Sequence, residues 1–430
     1  MEFIPEQLNT SSSHPLIQNS QEYMYDRQII SIHSEDRNIL RYPQSNDFII
    51  ELPQDYCNVL SITLESWTFP ANYDTFSVLQ NNITLAFKMN NIYNPATHST
   101  FNPSAGSTDQ LLFIMYEALT YYETSNTVFY ATIEQGFYNP SQITTELQNR
   151  LNETVTTYIM QYINKSMPSE ASALIALLNE NGGYDQFIVA YNEVSQKLWF
   201  GNKSSGFYLA NDDASYSRLQ YSGYRQCLDS KLPEDINWGL PFYLGFTRCP
   251  VDSKESVNGE YPRFYYGNYQ NGDNGYWLLP DTLSTSNPYG YANTTVFYTT
   301  TTYKINLMGP SYFYLEIDGL NNIDETSPFS ISASTVNTNE TNGIVKSSFA
   351  KISIPTIPIS QWFENVTSKA IKKYNPPLPR LRKLAIRVRY HNGSLVQFGT
   401  FNYSFSLELI MLRPQQNRNY RAYNPYAGQV

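Results

Sequence analysis

The chain has 430 residues and a formal net charge of −10, and charged residues make up only 15% of it, against roughly 25% in ordinary soluble domains. The negative balance argues against a nucleic-acid partner, because binding to phosphates requires clustered lysine and arginine. Aromatic residues also reach 15%, with 37 Tyr and 23 Phe, so we expect a polar, weakly charged, tyrosine-rich surface of the kind found at protein interfaces.

The predicted organisation has three parts. Residues 1–25 show no helical or alternating apolar period and predict an N-terminal arm, whereas 413–430, rich in Pro, Asn and Tyr, predict a C-terminal tail. Between them, short β-branched and aromatic runs separated by turn residues predict one elaborated, mainly β domain over 26–412. The predicted strands are 28–33, 47–52, 58–69, 83–88, 128–133, 186–191, 197–201, 207–209, 242–246, 295–305, 312–317, 349–354, 383–390, 395–398 and 403–412.

The clearest hairpin joins 384–390 to 395–398 through a turn at Asn392-Gly393, which supplies residues that tolerate positive φ. Alternation places Leu384, Ile386, Val388 and Tyr390 on a buried face, and Arg387 and Arg389 on the other. Basic residues crowd into 372–422, and we interpret them as a solvated strand face rather than a basic binding patch.

Helices are predicted to be few. Ile143, Leu147, Leu151 and Val155 recur every four residues, which predicts a helix over 140–158 with Ser141 as its N-cap. A second, short helix is predicted over 169–179, ending at the Asn181-Gly182-Gly183 turn. The segment 250–292 is rich in Tyr, Asn and Gly without periodicity, and we interpret it as a long surface insertion.

No catalytic residue, metal site or cofactor is predicted. The four histidines, at positions 14, 33, 98 and 391, are isolated, and no phosphate-binding, nucleophile or redox motif occurs. The acidic clusters at 211–213 and 318–325 lack the spacing of a calcium loop and are better explained as turns. No apolar stretch approaches 18 residues, so no membrane-spanning helix is expected, and three dispersed cysteines predict no disulfide framework.

Several phrases, taken in order, resemble one family. The most specific is 30–38, Ile-Ser-Ile-His-Ser-Glu-Asp-Arg-Asn, followed by Tyr42-Pro43 and a strand leading to Leu52-Pro53. It resembles the minor capsid and penton-type proteins of nucleocytoplasmic large DNA viruses, although that family more often has Asp and Arg at the positions of His33 and Glu35. Further similar phrases follow in the same order at 58–73, 133–138, 244–246, 315–318, 349–352 and 405–409.

The resemblance implies a jelly-roll β-sandwich with long insertions. About fifteen predicted strands exceed the eight of a single roll, which leaves two tandem rolls as the alternative. We favour one elaborated roll, because the helix at 140–158 and the insertion at 250–292 interrupt a two-fold partition.

The resemblance also implies a non-enzymatic structural role. We expect a virion component, assembled in the host cytoplasm, that contacts the major capsid protein and other minor capsid proteins as a penton or cementing subunit. A penton would form a homo-pentamer. No small-molecule substrate is expected.

Two sets of candidate residues follow. A structural turn motif comprises Asp36, Arg37, Asn38, Tyr42 and Pro43, in which an Asx side chain and an arginine fork that pairs with carboxylates would lock the turn between the first two strands. The candidates for interactions with neighbouring subunits are Tyr265, Tyr266, Tyr420, Tyr423 and Tyr426. The rival interpretation is a secreted or virion-surface carbohydrate-binding or glycoside-cleaving sandwich, with Trp199, Trp238 and Trp277 along a groove.

Overall fold

The computed structural model describes residues 23–70, 74–78, 80–97, 101–104, 106–217, 239–257, 259–264, 276–280, 295–325, 346–354, 362–364, 370–391 and 393–414. The strands are β1 (Tyr23–His33), β2 (Asp47–Pro70), β3 (Thr84–Asn90), β4 (Phe129–Thr132), β5 (Phe187–Asn192), β6 (Lys197–Asn202), β7 (Gly206–Leu209), β8 (Val251–Asp252), β9 (Lys254–Glu255), β10 (Arg263–Phe264), β11 (Tyr276–Trp277), β12 (Phe297–Thr300), β13 (Tyr312–Ile317), β14 (Ile323–Glu325), β15 (Lys346–Ser348), β16 (Ala350–Ser353), β17 (Trp362–Glu364), β18 (Ile371–Arg389) and β19 (Ser404–Pro414). The helices are α1 (Thr108–Thr124), α2 (Pro140–Ser166), α3 (Ala171–Glu180), α4 (Ala214–Ser217) and α5 (Leu240–Leu244).

The chain divides into two compact units. Unit 1 comprises Met1–Tyr73, Pro310–Pro328 and Asn339–Val430, and unit 2 comprises Asp74–Gly309 and Phe329–Thr338. The chain therefore leaves unit 1 after β2 and returns to it before β13. The predicted single body, 26–412, therefore includes parts of both units, and the predicted boundaries of arm, body and tail stay a prediction.

Unit 1 is built on a seven-stranded antiparallel sheet with the order β1-β19-β2-β18-β13-β16, and β17 pairs with β2. The two long strands β2 and β18 each contribute to two four-stranded arrangements. The second half of β2 pairs with β19, which pairs with β1. Within the described residues, the first half of β2 pairs only with the end of β18 that also pairs with β13. These eight strand segments in two four-stranded groups agree with the predicted jelly-roll class.

Strand β2 spans two predicted strands, 47–52 and 58–69, without interruption. Asn58 has a φ of 54°, in the left-handed region, and the pairing of β2 with β19 shifts register between Ser61 and Val59. A bulge of this kind bends a strand while pairing continues on both sides of it. The bulge explains how one strand serves both four-stranded groups.

The core of unit 1 is formed by the inward side chains of these strands. Phe69 of β2 lies 4.9 Å from Phe313 of β13 and 4.6 Å from Tyr403, measured between ring centroids, and all three rings are buried. Ile30, Ile62 and Leu409 also belong to this cluster. Alternation of apolar and polar residues along β1 and β19 produces this face, as the period of a half-buried strand predicts.

Unit 2 combines two four-stranded antiparallel sheets, β4-β3-β7-β8 and β5-β6-β12-β9, with helices α1 to α3. The predicted insertion at 250–292 belongs to this unit, and its described part contains the short strands β8 to β11. Helix α2 is the main element of the unit's core, since Ile143, Leu147, Leu151, Val155, Ile159 and Ile163 are all fully buried.

The predicted helix at 140–158 is confirmed and extends to Ser166, but its predicted cap is wrong. Asn139 is the N-cap: its side chain accepts from the backbone N–H of Gln142, and the Gln142 side chain accepts from the backbone N–H of Asn139. This reciprocal pair is a capping box. Ser141 instead lies inside the first turn, and the predicted helix at 169–179 is confirmed as α3.

Two other predictions on local structure are wrong or incomplete. The predicted strand at 242–246 is helix α5 with its C-cap Gly245, whose φ is 94° and where a Cβ would collide with the backbone of Tyr303. Short apolar runs do not distinguish strand from helix by periodicity. Helix α1 was not predicted, although Leu111, Ile114, Ala118 and Leu119 follow a helical period on its buried side.

The mainly β, antiparallel class with few helices is confirmed. The predicted turn after β18 forms, since Tyr390 N–H donates to Ser394 O at 2.8 Å and Gly393 has a φ of 89°. The predicted second strand of the hairpin, 395–398, is wrong, because this segment pairs with β18 only at the single bridge between Leu395 and Arg389. Asn392 lies outside the described residues. Among the helices in the described part of the chain, none combines the length and apolar character needed to cross a membrane.

Candidate interaction site

Arg37 organises the loop between β1 and β2, residues 34–46. Its Nε donates to Tyr42 O at 2.9 Å, Nη1 to Ser34 O at 2.7 Å and Nη2 to Pro43 O at 3.0 Å. Its Nη1 also donates to Asn402 Oδ1 at 2.7 Å. One guanidinium therefore holds both ends of the loop and joins them to a segment more than 350 residues away, using the fixed fork of donors that only arginine has.

A second set of hydrogen bonds fixes the same loop to residues 396–403. Ser34 and Tyr403 are joined twice, by Ser34 N–H to Tyr403 O at 2.9 Å and by Tyr403 N–H to Ser34 Oγ at 2.8 Å. Further along the loop, the Asn46 side chain donates to Val396 O at 2.8 Å, and Ser45 Oγ donates to Phe401 O at 3.1 Å. The base of the loop is thus held at several points by buried or half-buried bonds.

The predicted turn motif is brought together, but not through the expected carboxylate. Arg37 bonds to carbonyl and amide oxygens, and within the described residues no carboxylate lies within ion-pair distance of it. Asp36 is exposed at the end of a single 3-10 turn. Asn38 O and Oδ1 both accept from Arg41 N–H, and Asn38 O also accepts from Tyr42 N–H at 2.8 Å, so Asn38 has the expected turn-forming part.

The tip of the loop is apolar and faces solvent. Ile39 is 59% exposed and Leu40 is 99% exposed, whereas the Tyr403 ring beneath the base is buried. Burial raises the pKa of the Tyr403 hydroxyl, and the nearby Arg37 charge opposes that rise. A partner that contacts these aliphatic side chains would pay little conformational entropy for ordering the loop, because its backbone is already held.

Beside this loop lies a groove of about 470 Å³, which we call the β1–β2 groove. It is lined by Ile30, Ser31, Ile32, Asp36, Asn38, Arg41, Tyr42 and residues 49–53. β1 is the terminal strand of its sheet, and the first half of β2 pairs only with β18 among the described residues. The groove therefore runs between two strand edges whose outward backbone groups have no strand partner in the described part of the chain.

A strand face near the base of the loop carries a buried ion network formed by β13, β14 and the end of β18. Arg389 forms a two-pronged contact with Glu325, at 2.6 and 3.2 Å, and its Nε lies 3.0 Å from Glu316. The side chains of Arg389 and Glu325 are only 6% and 2% exposed. Burial opposes the charge of Arg389, but its bonds to Glu325 and Glu316 outweigh burial and raise its pKa.

The interpretation of the basic residues as a solvated strand face holds for Lys373, Arg380, Arg382 and Lys383 of β18, which are exposed. It is wrong for Arg389, which is buried and neutralised by Glu325, while its neighbour Arg387 is half-buried and pairs with Asp47 and Glu316. Burial, followed by the charge of Glu325, raises the pKa of the adjacent Tyr314 to about 12. The network is a structural feature of the sheet, since each of its charges already has a partner inside the protein.

Metal or sugar binding would need clustered carboxylates or histidines, or exposed tryptophans along a groove. In the residues that the structure describes, no three His, Cys, Asp or Glu side chains gather as a metal site. The acidic clusters serve local structure: Asp213 Oδ1 accepts from Ser215 N–H at 2.8 Å, and Asn321 Oδ1 accepts from Ile317 N–H at 3.0 Å. Trp199 stacks on Tyr298, and Trp277 is half exposed.

The five predicted interaction tyrosines, Tyr265, Tyr266, Tyr420, Tyr423 and Tyr426, lie outside the described residues, as does Trp238. The sequence did not predict that Asn402 and Asn46 hold the loop at 34–46 or that Glu325 pairs with Arg389. Each is an ordinary polar residue far along the chain from its partner, so no local pattern distinguishes it.

Comparison with known proteins gives only distant likenesses. No family model matches the sequence, and no curated protein matches it. Among solved structures, the chain is similar to the mavirus penton protein, with 9% identity and a TM-score of 0.35, over 91% of this chain and 99% of that chain. It is also similar to a chain of the Sputnik virophage structure, with 11% identity and a TM-score of 0.33, over 93% of this chain and 99% of that one.

Proposed function

We propose that this protein is a non-enzymatic structural component of the shell of a large icosahedral DNA virus. It would act as a minor capsid protein, in a penton or cementing position, and assemble in the host cytoplasm into the virion. Its partners would be the major capsid protein and other minor capsid proteins. The ordered sequence phrases that resemble this family support the proposal, and one of them, 30–38, runs from the end of β1 into the loop held by Arg37.

The observation that carries the proposal is the combination of a firmly held loop with an exposed apolar tip and a neighbouring groove. Arg37 and Ser34 fix the base, while Ile39 and Leu40 point into solvent. Isolated exposed apolar residues are common on any protein, but here they lie beside two open strand edges. Such a surface favours association with a protein partner, because apolar side chains and backbone groups are buried together.

Association requires no reacting group, and the buried charges of Arg389 and Glu325 are paired with each other inside unit 1. In a symmetric shell, many modest interfaces of this kind reinforce each other, so no single contact has to be strong.

The test is quantitative mass spectrometry of gradient-purified particles of the encoding virus, with labelled peptides of this chain and of the major capsid protein as standards. We expect a fixed ratio between the two proteins that survives protease treatment of intact particles. About 60 copies indicates a penton, with five at each vertex, and several hundred indicates a cementing protein. Absence from particles, or a ratio that varies between preparations, contradicts the proposal.

A further inference from the structure

We propose that the segment 415–430 of a second copy of this chain binds, in extended form, in the β1–β2 groove. The proposal concerns self-association of the purified protein and does not depend on the shell role. It begins from the groove itself, which offers the backbone edges of β1 and β2 and an apolar floor formed by Ile30, Ile32 and Ile49. An extended segment that adds to such an edge gains main-chain hydrogen bonds along its length.

The charge of the groove indicates which of the two polar terminal segments, 1–22 or 415–430, would bind there. Asp36 and Glu51 line the groove as exposed carboxylates, and the one basic side chain there, Arg41, lies over the Tyr42 ring at 5.3 Å. Segment 415–430 contains Arg418 and Arg421 and no Asp or Glu, whereas 1–22 contains three Glu and no Lys or Arg. Electrostatic complementarity therefore favours 415–430 over 1–22.

Chain geometry favours a second copy over the segment's own chain. Pro414 ends β19 opposite Tyr23, at the end of β1 that is farthest from the loop at 34–46. β19 occupies one side of β1 and the groove lies on the other, so the segment would have to cross over β1 to enter its own groove. Sixteen extended residues reach about 54 Å, against about 37 Å for all of β1, so length permits either molecule and the crossing over β1 is what favours a second copy.

The segment also has the side chains that suit the site. Three tyrosines, at 420, 423 and 426, combine an apolar ring with a hydroxyl and lose little rotamer entropy on binding. The groove volume of about 470 Å³ falls in the range of protein pockets that hold ligands of a few side chains. We therefore expect Arg418 and Arg421 to approach Asp36 and Glu51 while neighbouring tyrosine rings cover Ile49.

The test uses the full chain with a photoreactive benzophenone amino acid in place of Ile49. Unlabelled and ¹⁵N-labelled protein are mixed in equal amounts, irradiated and digested, and cross-linked peptides are identified by mass spectrometry. We expect peptides from 415–430 attached to position 49 in heavy–light pairs, which arise only between two molecules. A matched protein with the same group in place of Ile371, an exposed residue of β18 outside the groove, should give several-fold fewer such pairs.

Charge-reversal variants of the full chain test whether Arg418 and Arg421 are needed for this cross-link. Arg418→Glu with Arg421→Glu should lower the heavy–light yield at position 49 about ten-fold, because two attractions become repulsions. Lys254→Glu with Lys304→Glu changes the net charge equally at exposed sites in unit 2 and should leave the yield unchanged. Heavy–heavy and light–light pairs alone would mean that the segment binds its own chain. That result, no cross-link to 415–430, or equal yields at positions 49 and 371 overturns the proposal.

Discussion

Replacing Arg37 with alanine tests whether one guanidinium holds the loop between β1 and β2. The substitution removes hydrogen bonds to Ser34 O, Tyr42 O, Pro43 O and Asn402 Oδ1. A hydrogen bond from a charged donor contributes about 1.5–3 kcal/mol when buried, but Arg37 is half-buried and water will replace part of what is lost. We therefore expect Arg37→Ala to lower the free energy of unfolding by about 2–3 kcal/mol, or Tm by about 5–10 °C.

The assay combines chemical denaturation with hydrogen exchange measured by mass spectrometry, because the two units need not unfold together. Faster exchange should be confined to 34–46 and 396–403, while α2 in unit 2 stays protected. Arg41→Ala is the matched control, since Arg41 is an exposed residue of the same loop whose side chain lies over Tyr42. It should change stability by less than about 0.5 kcal/mol. Equal melting of Arg37→Ala and the unaltered protein, with unchanged exchange at 34–46, would refute the locking role.

Three further predictions concern other parts of the molecule, each measured by urea denaturation. Arg389→Met should cost about 3–5 kcal/mol by leaving the buried Glu325 without its arginine partner, and adding Glu325→Met should recover part of that loss; a double variant no better than the single one would contradict the account. Asn139→Ala should destabilise α2 by about 1 kcal/mol and Ser141→Ala by clearly less, whereas the opposite order would restore Ser141 as the cap. Leu147→Ala should cost about 2–5 kcal/mol, since the side chain is fully buried, and a loss below 1 kcal/mol would argue against its place in the core.

Local periodicity predicted those elements whose buried face is regular. The stripe of Ile143, Leu147, Leu151 and Val155 identified α2, and alternation along 384–390 identified the end of β18. Periodicity failed where apolar residues fall on both faces or where turn residues continue a strand. Prolines at 376, 377 and 379 are unfavourable in strands, so the first half of β18 was not predicted. Asn58 has a left-handed backbone conformation, but it bends β2 without ending it.

The candidate site was predictable only in part. The sequence phrase around Asp36 and Arg37 indicated a turn, because Asx and arginine side chains are suited to holding one. The partners of Arg37 and Arg389 could not be predicted from the sequence, because Asn402 is 365 residues from Arg37 and Glu325 is 64 residues from Arg389 along the chain. Which strands become edges depends on the pairing of the whole sheet, so the groove between β1 and β2 has no signature in either strand alone.

An averaged cryo-electron microscopy map of the encoding virus particle tests the central claim most directly, because it locates the protein as well as detecting it. We expect density for unit 1 at icosahedrally ordered positions in the shell. Leu40 and the β1–β2 groove should be covered there by a neighbouring subunit. A shell in which unit 1 has no position, or in which the loop at 34–46 and the groove both face solvent, would contradict the account.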